Sequence, residues 1–209
     1  MKKILYPFTG ILLAVLLTVP ILFLRKLPES QATAAPLALK AKGNPDAPIH
    51  LVEYSDFQCP SCQTIEMPLN DIMERYSGKI YLIYKHFPLV SHKFSPLAHQ
   101  AAECANEQGK FWEFHDELYK NQMVWSSAID PLKIFQSYAS GMNLNQDRFA
   151  RCLENASVAE RIQADKREGQ AAGVVSTPTF FVNGTMLVGS RQFLENADRT
   201  IREKLALEK

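Results

Sequence analysis

Two cysteines separated by two residues are the part of this sequence whose chemistry is easiest to specify. Cys59 and Cys62 follow an apolar segment and precede a segment with helical periodicity. That context predicts that Cys59 lies at the N-terminus of a helix, where free amide groups and the helix dipole stabilise a thiolate. We expect Cys59 to be a nucleophile of lowered pKa. Cys62, one turn further along, would complete a redox-active disulfide as the resolving thiol. The alternative for this pair is a structural or metal-binding role.

The chain contains two further cysteines, Cys104 and Cys152. An even number of cysteines in an exported domain favours two disulfides, so we expect a structural disulfide between Cys104 and Cys152 that takes no part in turnover. Two free cysteines in the core are the alternative. A zinc site made from all four cysteines is disfavoured because the second pair lies far apart along the chain, unlike the spacing of a compact zinc knuckle.

Glu53 is a carboxylate within an otherwise apolar predicted strand that leads to Cys59. Burial would raise its pKa. We interpret Glu53 as a group beneath the disulfide that moves protons to or from Cys62. The alternative is an acid at the end of a strand that reaches water.

The segments around the cysteines predict an α/β fold. Residues 49–54 and 80–84 are typical of buried strands, and the helix between them has apolar residues on one face and a kink at Pro68. A strand, a helix and a strand in this order imply a parallel unit. Asn183-Gly184, between two short strands at 179–182 and 186–188, predicts a hairpin, and Ser190 caps a final helix.

Between the second and third recognisable strands every segment looks helical, so we predict a helical insertion. The expected organisation is a signal anchor or signal peptide at 1–26, a linker at 27–48, an α/β domain formed by 49–92 and 173–209, and the helical insertion at 93–172.

The N-terminus has an apolar run from residue 4 to residue 24 that ends at Arg25 and Lys26. A run of about 20 apolar residues can span a bilayer. We favour an uncleaved anchor that holds the domain on the extracytoplasmic side. Cleavage near Ala32-Thr33-Ala34 is the alternative, and it would leave a secreted domain.

The composition and charge of the chain argue against one class of function, nucleic-acid binding. The net charge is +1, and Lys and Arg form no clear stripe, so nucleic-acid binding is not expected. We expect neither a metal nor a cofactor, because no histidine lies at metal-binding spacing from another ligand in the sequence. Phe111, Trp112 and Phe114 are interpreted as core residues of a helix, and a substrate groove is their alternative role. The histidines interpreted as structural are His50, His86, His92, His99 and His115.

Four short motifs occur together in this order. They are Phe57-Gln58-Cys59-Pro60-Ser61-Cys62, His86-Phe87-Pro88-Leu89, Gly109-Lys110-Phe111-Trp112 and Thr177-Pro178-Thr179-Phe180. In combination they resemble the DsbA family of exported proteins with a thioredoxin-like fold, and most closely its BdbD-like branch. The resemblance covers roughly residues 40–209.

The resemblance implies that Thr177-Pro178 is the family's cis-proline loop. Such a loop packs against the Cys59–Cys62 disulfide and offers backbone groups to an extended substrate peptide. Glu53 matches the acidic position that the family holds beneath its active-site cysteines. Pro-Ser between the cysteines and Thr before the proline depart from the best-known oxidase of the family, and both positions tune the redox potential.

The function expected from the sequence is oxidation of reduced exported proteins by a monomeric thiol-disulfide oxidoreductase. The family resemblance implies reoxidation by a membrane quinone-linked thiol oxidase. Two other functions stay open. The same fold could work as a reductase or isomerase, or it could be a redox-inactive chaperone that holds peptides beside Pro178.

Overall fold

The computed structural model describes residues 40–207 of the 209-residue chain. The predicted anchor, the alternative cleavage site and most of the predicted linker lie outside these residues. Among the helices in the described part of the chain, none is both long enough and apolar enough to cross a membrane.

A five-stranded mixed sheet forms the centre of the fold, in the order β1-β3-β2-β4-β5. The strands are β1 (Ala41–Lys42), β2 (Ile49–Ser55), β3 (Ile80–His86), β4 (Thr179–Val182) and β5 (Thr185–Val188). β2 runs parallel to β3 and antiparallel to β4, so its backbone is paired on both sides. A strand in this central place has its side chains covered, which explains why β2 is mostly apolar.

Helix α1 (Pro60–Arg75) connects β2 to β3, as the sequence predicted. Its buried residues Ile65, Leu69 and Ile72 recur at helical spacing and pack with α8 (Gly189–Leu207) on one face of the sheet. Helix α1 continues through Pro68 as one element.

Six helices lie between β3 and β4, in agreement with the predicted helical insertion. They are α2 (Ser95–Asn106), α3 (Phe111–Lys120), α4 (Gln122–Ser126), α5 (Pro131–Gly141), α6 (Gln146–Leu153) and α7 (Ala156–Ala171). Their shared core includes Phe111 and Phe114, as expected, and it extends to Cys59 and Cys62. The redox pair therefore lies where the insertion meets the sheet.

Helix α7 covers the sheet face opposite α1, and Gly169 permits its close approach. A Cβ atom at Gly169 would lie 2.8 Å from the ring of Tyr54 on β2. Glu168 on the same helix accepts a hydrogen bond from the Tyr54 hydroxyl at 3.2 Å. These contacts join the insertion to the strand that carries Glu53.

The prediction of a linker up to residue 48 is wrong at its end. Ala41 and Lys42 form β1, which pairs antiparallel with Ile83 and Leu82 of β3. Strand β1 is only two residues long, so it has no detectable periodicity of its own. Its pairing depends on a strand that is distant in the sequence.

Candidate functional site

Cys59 is the N-cap residue of α1, as its sequence context predicted. Pro60 follows at the first helical position, where its missing N–H costs nothing because that amide would have no partner within the helix. The Cys62 N–H donates to the Cys59 carbonyl oxygen at 3.1 Å, and the backbone amides of Ser61 and Cys62 lower the pKa of the Cys59 thiol. Cys59 is 7% exposed and Cys62 is fully buried, so a large substrate can reach only the first sulfur.

The pKa values of the two thiols are shifted in opposite directions. A hydrogen bond from the Cys62 thiol, together with contacts to Thr177 and the helix amides, lowers the pKa of Cys59 to about 6. Burial raises the pKa of Cys62 well above its usual value, and the neighbouring Cys59 raises it further. At neutral pH the pair therefore holds one thiolate, on Cys59, and one proton, on Cys62.

This acidity predicts a pH dependence that alkylation can measure. In the reduced protein, the rate of Cys59 alkylation by iodoacetamide should be flat above about pH 7 and fall about tenfold per unit below pH 6, because only the thiolate reacts. The same measurement on the urea-unfolded chain is the control, and there the rate should still rise near pH 8.5. An inflection for the folded protein at pH 8 or higher would contradict this assignment.

The lowered pKa also links pH to the stability of the reduced protein. The unfolded Cys59 thiol binds more protons than the folded one between about pH 6 and 9, so the contribution of Cys59 to the stability of the reduced form rises with pH through this window. This contribution is lost as the pH falls through about 6. Its slope within the window is about 1.4 kcal/mol per pH unit.

Glu53 is completely buried on the central strand, so the alternative of an acid that reaches water is wrong. Neither carboxylate oxygen has a hydrogen-bond partner among the described residues. Burial raises the pKa of Glu53 to about 7, and a contact with Ser55 partly opposes that rise. Ser55 also contacts Cys62 and lies 2.9 Å from the Tyr119 hydroxyl, so it stands between the acid and the buried thiol.

The peptide bond between Thr177 and Pro178 is cis. The Thr177 carbonyl oxygen accepts a hydrogen bond from the Cys59 thiol at 3.5 Å. The Pro178 carbonyl oxygen accepts one from the Gly189 N–H at 2.7 Å, which ties this loop to the start of α8. The structure thus brings Thr177 and Pro178 against the redox pair.

Gln122 is a site residue that the sequence analysis missed. Its buried side-chain amide donates to the carbonyl oxygens of Phe57 and Cys59, at 2.8 and 2.9 Å. The helical insertion thereby fixes the backbone on which Cys59 stands. A lone Gln at the start of a short helix carries no sequence signal of this contact, because Gln122 and Cys59 meet only in the tertiary structure.

Asp56 also fixes the loop between β2 and α1, which carries Cys59. It is fully buried and accepts hydrogen bonds from the N–H groups of Gln58 and Leu89 and from His92. Burial alone would raise the pKa of Asp56, but the His99 ring, whose Nε2 lies 3.8 Å from Asp56 Oδ1, and the hydrogen bond from the Leu89 N–H outweigh burial and hold the pKa below its usual range.

Histidines that are scattered along the sequence lie beside other polar side chains in the fold. His86 Nε2 lies 2.8 Å from Glu103 Oε1, and His86 Nδ1 lies 2.6 Å from His99 Nδ1. Lys40 neutralises this buried group through ion pairs with Glu103 at 2.6 Å and Asp165 at 3.1 Å. Residues far apart in sequence make these contacts, so spacing along the chain could not reveal them.

Cys104 on α2 and Cys152 on α6 form a disulfide. Two thiolates are thus removed as possible ligands, which rules out the four-cysteine zinc site. This disulfide lies within the helical insertion and not in the loop that holds Cys59.

Comparison with known proteins adds a family and a shared fold. Residues 40–202 match the family model described as thioredoxin. The structure resembles alpha-DsbA1 from Wolbachia pipientis (TM-score 0.69, 24% identity, 85% of this chain and 98% of the other). It also resembles oxidised BdbD from Bacillus subtilis (TM-score 0.66, 21% identity, 78% of this chain and 93% of the other).

A curated relative of this chain is named as an ion antiporter and not as a thiol-disulfide oxidoreductase. The Na(+)/H(+) antiporter NhaA 3 of Salinispora tropica is 38% identical over 144 residues, which make up 68% of this chain and 21% of the antiporter. The chain spans about a fifth of the length of the curated relatives it matches.

Proposed function

The chain belongs to the thioredoxin family and has the fold of DsbA-like thiol-disulfide oxidoreductases, and from this premise we propose that it introduces disulfides into exported proteins through Cys59 and Cys62. The observation that carries the proposal is the opposite acidity of the two thiols. A stabilised Cys59 thiolate favours the reduced form of the pair, so the oxidised form tends to accept electrons.

The proposed reaction begins when a substrate thiolate attacks the Cys59 sulfur of the Cys59–Cys62 disulfide. A bond forms between the substrate sulfur and Cys59, and Cys62 leaves with the electron pair. A second substrate thiolate then attacks its own partner sulfur in the mixed disulfide and releases Cys59 as a thiolate. The substrate gains one disulfide, and the enzyme pair gains two electrons.

Glu53 supplies the proton in the first step of this proposal. The leaving Cys62 thiolate is fully buried, and a buried thiolate is costly. The pKa of Glu53 is about 7, whereas that of Cys62 is well above its usual value, so proton transfer from the acid to the thiolate is downhill. Ser55, which contacts both groups, gives the proton a short route.

The substrate segment lies beside Thr177 and Pro178 in this account. A groove of about 440 Å³ is lined by Phe87, Leu89, Val90 and Val175 among others, and Val175 is two residues before Thr177. Val90 and Val175 are 98% and 84% exposed. Exposed apolar side chains in a groove that begins two residues before Thr177 suit an unfolded substrate, whose apolar residues are accessible.

Location and partners follow from the same proposal. The catalytic domain would work on the extracytoplasmic side of the cell membrane, held there by the N-terminal segment or released after cleavage. A membrane quinone-linked thiol oxidase would reoxidise the pair, and the protein would act as a monomer. Antiport is not carried over from the curated relatives, because their match covers only about a fifth of each.

Oxidative refolding tests the direction of electron flow. The full-length oxidised protein, mixed with reduced, unfolded ribonuclease A, should restore ribonuclease activity without added oxidant, up to the number of disulfides supplied. A glutathione buffer without the protein is the control. If the protein only reduces insulin disulfides and leaves reduced ribonuclease unchanged, it is a reductase and the proposal is wrong.

A further inference from the structure

A histidine and two carboxylates meet one turn beyond Cys62. Glu66 lies on α1, and His115 and Asp116 lie on α3. One ligand atom from each residue lies within 4.8 Å of the other two. His115 is 2% exposed, whereas the Asp116 side chain is 62% exposed, so the cluster extends from the interior to the surface.

The orientation of His115 leaves one ring nitrogen available. Nδ1 lies 2.8 Å from Asp116 Oδ1, and a contact with a carboxylate oxygen places the hydrogen on Nδ1. Nε2 therefore carries a lone pair. Nε2 is buried, has no hydrogen-bond partner among the described residues, and faces Glu66 Oε2 at 4.0 Å.

Packing fixes the imidazole in this orientation. Five aromatic rings have their centroids between 4.9 and 5.9 Å from that of His115. They belong to Phe57, Tyr84, Phe111, Trp112 and Tyr119. A ring held in this way, with its other nitrogen bonded to a carboxylate, is arranged like a histidine that binds metal.

The charge around the cluster favours a cation. Glu66 Oε1 is also buried without a hydrogen-bond partner. The carboxylates of Glu53 and Asp116 lie close enough to Glu66 to act on its charge. The Lys42 ammonium, which partly offsets these charges, lies over the ring of Trp112 at 4.2 Å. A buried lone pair on His115 Nε2 lies 4.0 Å from the Glu66 carboxylate, whose other oxygen is buried without a partner, and a shared cation would stabilise this arrangement.

Glu66 and Asp116 border a cavity that is open to solvent, whereas His115 does not line it. This cavity of about 440 Å³ is lined by both carboxylates and by the side chains of Gln63 and Asn70. Water in a cavity of this size can fill the coordination positions that the protein leaves open.

We propose that Glu66, His115 and Asp116 bind a divalent transition-metal ion of the Zn²⁺ type. His115 Nε2 and Glu66 are direct ligands, Asp116 orients the imidazole and supplies the second carboxylate of the cluster, and water completes the coordination. Imidazole and carboxylate ligands suit Zn²⁺, with bonds of about 2.0–2.2 Å. The 4.0 Å between His115 Nε2 and Glu66 Oε2 requires the Glu66 side chain to move by roughly half an ångström for tetrahedral geometry.

Titration of the oxidised, full-length protein tests the site independently of its redox activity. The Cys59–Cys62 disulfide offers no thiolate, so binding there cannot be mistaken for binding at the cluster. Calorimetry with Zn²⁺, on protein without a histidine tag and freed of metal with EDTA, should give one equivalent of binding. Co²⁺, added in place of Zn²⁺, should give the visible absorption bands of a cobalt ion with an imidazole nitrogen ligand.

The variants Glu66→Gln and His115→Gln should weaken Zn²⁺ binding at least about tenfold, and Asp116→Asn should weaken it by about 10- to 100-fold through loss of the oriented imidazole. Asp71→Asn, an exposed change on the same helix, and His50→Gln, an exposed change on β2, are the matched controls and should bind as the parent does. If His115→Gln does not fold, the exposed Asp116→Asn carries the test. Equal affinity in Asp116→Asn, Glu66→Gln and the parent, or no binding tighter than about 100 µM, would overturn the proposal.

Discussion

Replacement of Cys59 by Ser should abolish disulfide transfer, and replacement of Cys62 by Ser should abolish it too but leave Cys59 able to hold a substrate in a mixed disulfide. Cys59 is the sulfur that a substrate can reach, so without it no mixed disulfide forms. In Cys62→Ser, Cys59 can be oxidised only by glutathione disulfide, and exchange of the bound glutathione for a substrate thiol gives a mixed disulfide that Cys62 is no longer present to reverse. The complex then lasts until a second substrate thiol attacks it. Ribonuclease refolding should fall to the uncatalysed background in both variants.

Non-reducing electrophoresis separates the two outcomes. Cys62→Ser, incubated with reduced ribonuclease in a glutathione redox buffer, should accumulate a covalent complex with ribonuclease. Dithiothreitol should separate the two proteins by reducing the mixed disulfide. Cys59→Ser and the double variant should accumulate none. A covalent complex in Cys59→Ser would mean that Cys62 is the attacking thiol and that the two roles are reversed.

Loss of the Cys104–Cys152 disulfide should lower the free energy of unfolding by roughly 4 kcal/mol, the second largest effect expected. The two residues are separated by 48 positions, and a closed loop of this length restricts the unfolded chain by about that amount in the chain-entropy model. Urea unfolding of Cys104→Ala/Cys152→Ala measures the change. Disulfide transfer at a temperature well below the unfolding midpoint should be unchanged.

The variant also removes two buried sulfur atoms, so it needs a control that keeps the side chains. In the Cys59→Ser/Cys62→Ser protein the bond between Cys104 and Cys152 is the one disulfide left, and dithiothreitol reduces it without a change in sequence. Unfolding with and without the reductant should differ by about the same amount. A difference below about 1 kcal/mol would mean that packing alone holds the insertion together.

The elements next to the redox pair were predictable because their signals are local. Apolar content defined β2 and β3, helical periodicity defined α1, and Asn183-Gly184 defined the turn between β4 and β5. Cys59 could be placed at a helix N-terminus because a strand and an amphipathic helix flank it. Burial of Glu53 followed from a single carboxylate in an apolar strand.

The remaining features depend on contacts between distant residues. Strand β1 is too short to show a period, and it exists because β3 offers it a free edge. Gln122 donates a hydrogen bond to the carbonyl oxygen of Cys59, which lies 63 positions earlier in the sequence. Glu66 on α1 lies 4.0 Å from His115 on α3. Gln, Glu and His are all common on the surfaces of helices. Their neighbours in the sequence therefore do not show whether such a residue fixes a backbone, binds a metal or lies on the surface without a role.

The reduction potential of the Cys59–Cys62 pair tests the central claim most directly. The full-length protein is equilibrated with glutathione buffers at pH 7, and the reduced fraction is measured. Stabilisation of the Cys59 thiolate predicts a potential clearly above that of thioredoxin, which is about −270 mV. A potential at or below about −270 mV would contradict the account, because the pair would then give electrons to exported proteins instead of taking them.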